Sequence, residues 1–534
     1  MRGRRAYHDR TEHLGPIMVG PSSSHTAGAL RIALVARSLG PAPLARVEFI
    51  LYNSFAHTYK GHGSDKALVG GILGFAPDDI RVRDSFTAAK KEGLRFDFIP
   101  SDEGAGKHPN TVTIKMYGLD NQTMSVTGES LGGGRIRISS IDGISVEITG
   151  DYPTLFVAHQ DVAGVLAALT GILSTYEINI ATMRTFRAKR GGKAYTVFEL
   201  DNPLQGDLLT RLRNVDHVHL VNTVNIPGSV AISHEGKLQL GFETGAQLLE
   251  LCDRHNMSIG EVMRNREVTL CERLQNVDEK MLHVLEVMRE ETTDPLRNPR
   301  PSLGGLLGGQ AQTVWKHKSS YASALMGDTL TTCVAYAMAV LERSATMGVI
   351  VAAPTAGSAG VVPGAVLGVG KAIGANDAQL SRALWNACAL GAILAHNASV
   401  AGAEGGCQAE VGSASAMAAS AICELLGAQP RVCLSAASTA IANLLGLVCD
   451  PVRGLVEYPC QDRNAIGVAN AISAAQLALS GVLDPLPFDE VTQAMKSVGE
   501  ALPATLRETA LGGLAAAPSA QAASSCCTTC NLCD

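Results

Sequence analysis

No residue before Cys252 is a cysteine, and all 13 cysteines of this 534-residue chain lie at or after that position. Aromatic residues are scarce at 4%, while glycine occurs 55 times, so the cores must be built from small side chains. There is no excess of basic residues. A formal net charge of −6 argues against a nucleic-acid binder, which would need a basic face. The basic start MRGRRAYHDR leads into no apolar run, so no secretory leader is expected. Reduced thiols of a cytoplasmic protein are then the expectation, and their crowding into one half suggests a metal or cluster site there. Cys388 and Cys423 read as buried small hydrophobes.

Charge is only 18%, and some stretches of the second half, such as Thr346 to Gly370, carry none. That length could span a bilayer. The run consists largely of small residues, however, and Pro354 and Pro363 interrupt it. It reads as buried helix and loop of a tightly packed soluble domain, with no membrane partner. No GxxxxGK[ST] phosphate loop is present, and GVGKAIG at 368–374 has the wrong spacing for a dinucleotide site. It reads as a tight packing contact.

Four regions are expected. Residues 1–150 alternate strand signals (ARVEFILY, TVTIKMYG, RIRISSI) with helix signals (SDKALVGGILG), as in an α/β domain. Residues 153–227 run strand, helix, strand, strand, helix, strand, the ferredoxin-like order. This stretch resembles an ACT domain, including the Asp-x-x-Gly-Val-Leu turn from Asp161, expected at the helix cap, through Gly164 to Leu166. ACT domains usually bind small regulatory amino acids, often across a dimer interface. Residues 229–512 are expected to be all-α, with Gly-rich breaks. Residues 513–534 read as a flexible, Cys-rich tail.

Two stretches concentrate polar groups at helix starts. In GPSSSHTAGALRIA, Gly20-Pro21 marks a turn. Ser23 or Ser24 is the expected N-cap of a helix over Ala27 to Leu39. Three serines, His25 and free backbone N–H groups would converge on one helix end, which attracts anions and keeps His25 neutral. The plainer reading is an over-capped helix with an exposed histidine. KGHGSDKAL repeats the pattern, with His62 just before a helix capped by Ser64 or Asp65. HPNT adds Asn110 before a strand, and GESLGGGRI is a Gly-rich loop opening another. In the second half, Cys407, Cys449 and Cys460 each sit by a turn or helix breaker (GGCQAE, VCDPVRG, YPCQDRN). Their spacing matches no local zinc-finger or ferredoxin pattern.

Taken in order, GPSSSHTAG, GHGSDKA, HPNT, GESLGGG, the ACT-like unit, APTAGSAGVVPG, AEGGCQAEVGSASAMAA and CDPVRGLVEYPCQDRNA resemble iron–sulfur L-serine dehydratase (L-serine deaminase). The resemblance covers nearly the whole chain and looks like a fusion of the family's β and α parts. It implies a 4Fe–4S cluster rather than pyridoxal phosphate, with permanent ligands at Cys407, Cys449 and Cys460. Cys533 is the candidate for a C-terminal thiol that occupies the open iron, beside the extra Cys526, Cys527 and Cys530. The implied reaction converts L-serine to pyruvate and ammonia. The cluster acts as Lewis acid on the serine hydroxyl and a positioned base takes the Cα proton. His62 is the first choice for that base and His25 the second. Ser22, Ser23, Ser24, Asn110, Thr355 and Ser358 are expected to hold the substrate. The ACT-like unit implies an amino-acid effector at Asp161 and Gly164, and pairing into a homodimer.

Three alternatives stand beside this one: a related iron–sulfur hydro-lyase for another small hydroxy acid, a non-catalytic ACT-type sensor, and a transporter built on the Gly/Ala-rich half. A pyridoxal phosphate enzyme would need a Schiff-base lysine, and the helical half offers no convincing motif for one.

Overall fold

The computed structural model describes residues 14–522, apart from 121, 151, 202–203, 205–206, 225–239, 271–276 and 321–322. The basic start and the cysteines at 526, 527, 530 and 533 lie outside the described residues.

The first unit opens with strand β1 (Ile17–Val19) and helix α1 (Gly28–Leu39). Strand β2 (Leu44–Tyr52), helices α2 (Asn53–Thr58), α3 (Ser64–Leu73) and α4 (Ser85–Lys91), and strand β3 (Arg95–Ser101) follow. Strands β4 (Thr111–Gly118), β5 (Thr123–Gly132), β6 (Arg135–Ile141) and β7 (Ile144–Ile148) complete a six-stranded sheet of order β3-β2-β4-β5-β6-β7. Only β2 and β3 are parallel. Alternation turns Val47, Phe49 and Leu51 of β2 inward, as expected for a sheet with one packed face. GESLGGG is not a free loop: Gly128–Gly132 finish β5, and Gly133 and Gly134 make the turn into β6 at positive φ.

The second unit is built from β8 (Thr154–Gln160), α5 (Val165–Thr175), β9 (Ile180–Arg187), β10 (Lys193–Leu200), α6 (Leu208–Arg213) and β11 (Val218–Val224). Its antiparallel sheet has the order β11-β8-β10-β9, the ferredoxin-like topology expected. One face packs under α5 and α6 through Leu155, Val157, Leu169, Phe198 and Leu212. The other face, with Phe156, Ala158, Tyr195 and Val197, joins the core of the first unit. Helix α1 contacts β5 and β6 on one side and β11 on the other. A helix wedged between two sheets has no wet face, which is why ALRIALVA is apolar nearly all round.

The remainder is helical, from Gly245–His255 to Pro518–Ala522, with one short strand, β12 (Val349–Val351). β12 pairs antiparallel with β1, so the first and third units share a two-stranded ribbon. Among the described residues one helical stretch, Ala356–Ile373, is long and apolar enough to cross a membrane, yet 78% of it is buried inside the protein. Its glycines explain the burial. A Cβ at Gly360, Gly364 or Gly368 would meet Ala337 O, Cys333 O or Cys333 Sγ at 2.2, 2.8 and 2.3 Å, so the stretch lies directly against the helix Ser323–Ala345. The Gly368 stretch is thus the packing contact expected. Cys388 and Cys423 are fully buried in this core. The segment read as a flexible tail begins with ordered chain: Gly513–Ala516 forms a helical turn, and Leu514 N–H donates to Asp450 Oδ2 at 2.7 Å.

Candidate active site

The opening stretch does not cap as expected. The N-cap is Ser22, whose Oγ accepts from His25 N–H at 3.0 Å, and a wide turn over Ser23–Ala27 leads into α1. Gly20 turns the chain at φ +98° two residues before that cap. His25 is fully buried, against the reading of an exposed histidine. The other cap also moves. Gly63 at φ +64° starts α3 without a side-chain hydrogen bond, and neither Ser64 nor Asp65 caps it.

Both histidines meet in one buried cluster. Their rings stack at 4.4 Å between centroids, inclined by 23°. Thr26 ties the two stretches, its Oγ1 donating to His62 O at 2.7 Å. His25 Nε2 lies 2.9 Å from Ser54 Oγ, and Ser54 donates its own proton to Glu508 O. His25 Nε2 is therefore the protonated nitrogen, and Nδ1 accepts from Ser24 Oγ at 3.0 Å. His62 is arranged the opposite way. Its Nδ1 donates to the Thr58 carbonyl at 3.1 Å, which leaves Nε2 with a lone pair and no hydrogen-bond partner among the described residues.

A carboxylate that the sequence reading did not select completes the cluster. Glu508 Oε1 is 3.5 Å from His25 Nδ1 and 3.5 Å from His62 Nε2. The residue sits at φ +57°, its N–H donating to Cys449 O, while Cys449 N–H donates to Leu506 O. Burial, then the neighbouring His62, push His25 down to about 3 against the pull of Glu508. Burial, more than a helix end, is what keeps that imidazole neutral. For Glu508, burial acts to raise the carboxyl, and the imidazoles of His25 and His62 outweigh it, holding it below its ordinary value.

The third unit supplies the opposite wall. Ser23 Oγ accepts from Ala356 N–H at 2.7 Å, so this serine bridges the two units. Thr355 Oγ1 lies 3.1 Å from Ser358 Oγ and donates to Glu410 Oε1 at 2.7 Å. Burial, and then Glu508, push Glu410 up to about 8, so only one of these two buried carboxyls is charged near neutrality. Asn110 is 1% exposed and its Oδ1 has no hydrogen-bond partner among the described residues. It lies beside the cluster because Pro109 O accepts from Ser54 N–H. No short-range pattern pointed to Glu508 or Glu410. One lies in the chain after the last long helix, the other one turn beyond Cys407.

Cys407, Cys449 and Cys460 come from three separate segments, as their spacing suggested. Cys407 precedes the turn Gln408–Gly412, Cys449 lies in a loop, and Cys460 is the first residue of the helix Cys460–Leu479. Burial pushes Cys407 up to about 12, and Cys449 and Cys460 well above the ordinary thiol range. Cys449 also feels Cys407 and Cys460, which push it up further. A Cβ at Gly402 would lie 3.2 Å from Cys449 Sγ and 2.7 Å from Glu410 Oε2, so only glycine leaves room beside that thiol. Two buried thiols and the partly buried Cys460, with Arg463 acting on Cys407 and Cys460, fit a metal centre, because a bound metal's charge compensates their deprotonation. Cys533 lies outside the described residues.

Asp161 and Gly164 lie in the second unit. Asp161 does not cap α5; Gly164, at φ +95°, is the N-cap. Asp161 Oδ2 instead accepts from Gly191 N–H at 2.9 Å and Arg187 Nη1 at 2.7 Å, contacts that hold its carboxyl below the usual range.

Comparison with known proteins agrees with this layout. The family model "Serine dehydratase beta chain" matches residues 13–140, "ACT domain" matches 153–217, and "Serine dehydratase alpha chain" matches 254–515. The L-serine dehydratase of Mycobacterium bovis is 36% identical over 520 residues, covering 93% of this chain and 96% of that protein. The L-serine dehydratase of Streptomyces coelicolor is 32% identical over 514 residues, with the same coverage. The probable L-serine dehydratase alpha chain of Bacillus subtilis is 44% identical over 278 residues, covering 52% of this chain and 92% of that one. Full-length identity at this level places the chain in the L-serine dehydratase family of enzymes, with the β part, an ACT domain and the α part carried on one polypeptide.

Proposed function

We propose that this enzyme eliminates water from L-serine where the first and third units meet, the aminoacrylate product then tautomerising to an imine that water hydrolyses to pyruvate and ammonia. The observation that carries the reading is the fully buried Nε2 of His62, which has no hydrogen-bond partner among the described residues and faces Glu508 Oε1 at 3.5 Å. With Nδ1 held by the Thr58 carbonyl, Nε2 is the nitrogen that takes the Cα proton. Glu508, at 3.5 Å, then faces the imidazolium with a carboxylate. His25 remains neutral and orients Ser24 and Ser54. The turn that leads into α1, with Ser22 and Ser24, offers N–H and hydroxyl groups to the substrate carboxylate. Asn110, Thr355 and Ser358 line the rest, and Ser23 holds the two walls together.

Cys407, Cys449 and Cys460 would hold a 4Fe–4S cluster. When bound, it would supply Lewis acidity toward the serine hydroxyl without pyridoxal phosphate. The same reading assigns Asp161 and Gly164 of the ACT domain to an amino-acid effector and pairs the enzyme as a cytoplasmic homodimer. The test is pyruvate formation from L-serine by protein purified without oxygen, assayed before and after exposure to air. Activity that dies in air and returns with iron and sulfide is the expected result. A cluster-loaded protein that forms no pyruvate would move the function to another hydroxy acid or to sensing.

A further inference from the structure

Arg463 lies one helical turn after Cys460, on the helix Cys460–Leu479. Its side chain is only 15% exposed, and from the Cys460 helix it reaches both sides of the Cys449 loop. Nη1 donates to Val448 O at 2.8 Å, beside Cys449. Nη2 pairs with Asp450 Oδ1 at 2.7 Å, on the other side of Cys449. Its positive charge also acts on the Cys407 thiol, pulling it down against the effect of burial. Asp450 is 3% exposed at its side chain, and its second oxygen is held by Leu514 N–H, so the acid is fixed from both ends. A planar fork with fixed donors can hold both sides of the Cys449 loop against the Cys460 helix in this way, whereas a lysine ammonium is a point charge on a flexible stem.

We infer that Arg463 is a positioning residue for the metal centre: it clamps the Cys449 loop to the Cys460 helix and sets the charge felt by the cysteine sulfurs. The inference rests on the assignment of the thiols to a 4Fe–4S cluster. A cation and N–H donor beside cluster sulfurs favours the more reduced, more negative form, so its removal lowers the reduction potential. A residue that served only to pack the helix would leave that potential where it was.

The test uses full-length protein reconstituted without oxygen with iron and sulfide. Two quantities are read: the rate at which a chelator strips the iron, and the midpoint potential followed by electron paramagnetic resonance. In Arg463→Met, stripping is expected to be about tenfold faster or more, with the potential shifted negative. Arg463→Lys keeps the charge but loses the fork. It is expected to restore most of the potential while stripping remains faster than native. A native rate and potential in Arg463→Met would overturn the inference. Where the Met variant does not fold, a native stripping rate in Arg463→Lys overturns it equally. Cys449→Ser separates the two readings. If it binds a native cluster, or if unaltered protein binds none, the thiol assignment itself has failed.

Discussion

The two histidine stretches look alike in sequence and behave differently in the fold. Each places its imidazole just before a helix in a polar, glycine-containing turn, and both rings end fully buried and stacked. In the first, Ser24 and Ser54 occupy both ring nitrogens of His25. In the second, only Nδ1 of His62 is occupied, by a carbonyl that fixes the tautomer. The base of the proposed reaction needs a lone pair that no hydrogen bond occupies, and of the two stretches only the second leaves one. Proximity to a helix end does not separate the pair; the hydrogen-bond partners do.

That contrast can be broken by measurement. His62→Gln should lower kcat by about 10³-fold with iron content unchanged, whereas His25→Gln should cost closer to about tenfold, as expected for a residue that only orients the site. A reversed order would exchange their roles. Next in size, Glu508→Gln leaves the His62 imidazolium without a facing charge, and kcat should fall by about 10²-fold. A near-native kcat would remove Glu508 from the mechanism.

The third test concerns stability. His25 has a folded value of about 3, below its ordinary 6.5. Between those limits the unfolded chain binds a proton that the folded protein does not, so this contribution to stability is lost as pH falls through that window. The slope is up to about 1.4 kcal/mol per pH unit. Denaturant unfolding of His25→Gln between about pH 6.5 and 4.5 should show a shallower acid slope than the unaltered protein; equal slopes would mean that His25 does not stay neutral. The smallest effect belongs to Thr26→Val. It removes the hydroxyl that donates to His62 O and accepts from Ser22 N–H. A loss of about 1–2 kcal/mol is expected in urea unfolding, and no loss would mean that the two stretches are held together by packing alone.

Residues that act through nearby chain were readable in the sequence. The βαββαβ order from β8 to β11 follows from alternation and helical spacing, and the structure repeats it within a few residues. The two histidines and the three turn-flanked cysteines were visible because their local surroundings are unusual. Capping was misread three times, at Ser22, Gly63 and Gly164, each time because a glycine at or just before the cap, with positive φ, decides where the helix begins. A preference for serine or aspartate at caps cannot anticipate that. Glu508 and Arg463 were missed for a different reason: each is an ordinary charged residue in its own segment, and its meaning depends on what faces it.

By itself, then, the sequence determined the elements, their order, the apolar helix after the serine-rich turn and the residue types available for proton transfer and thiolate ligation. Short-range periodicity and turn chemistry suffice for these. Only the tertiary structure decided which nitrogen of which histidine is free and which carboxylates face them. It alone set the arginine that joins the Cys449 loop to the Cys460 helix. Those choices depend on contacts between residues as far apart as Ser54 and Glu508, and on burial, which sets the charge of each group only once the units have closed.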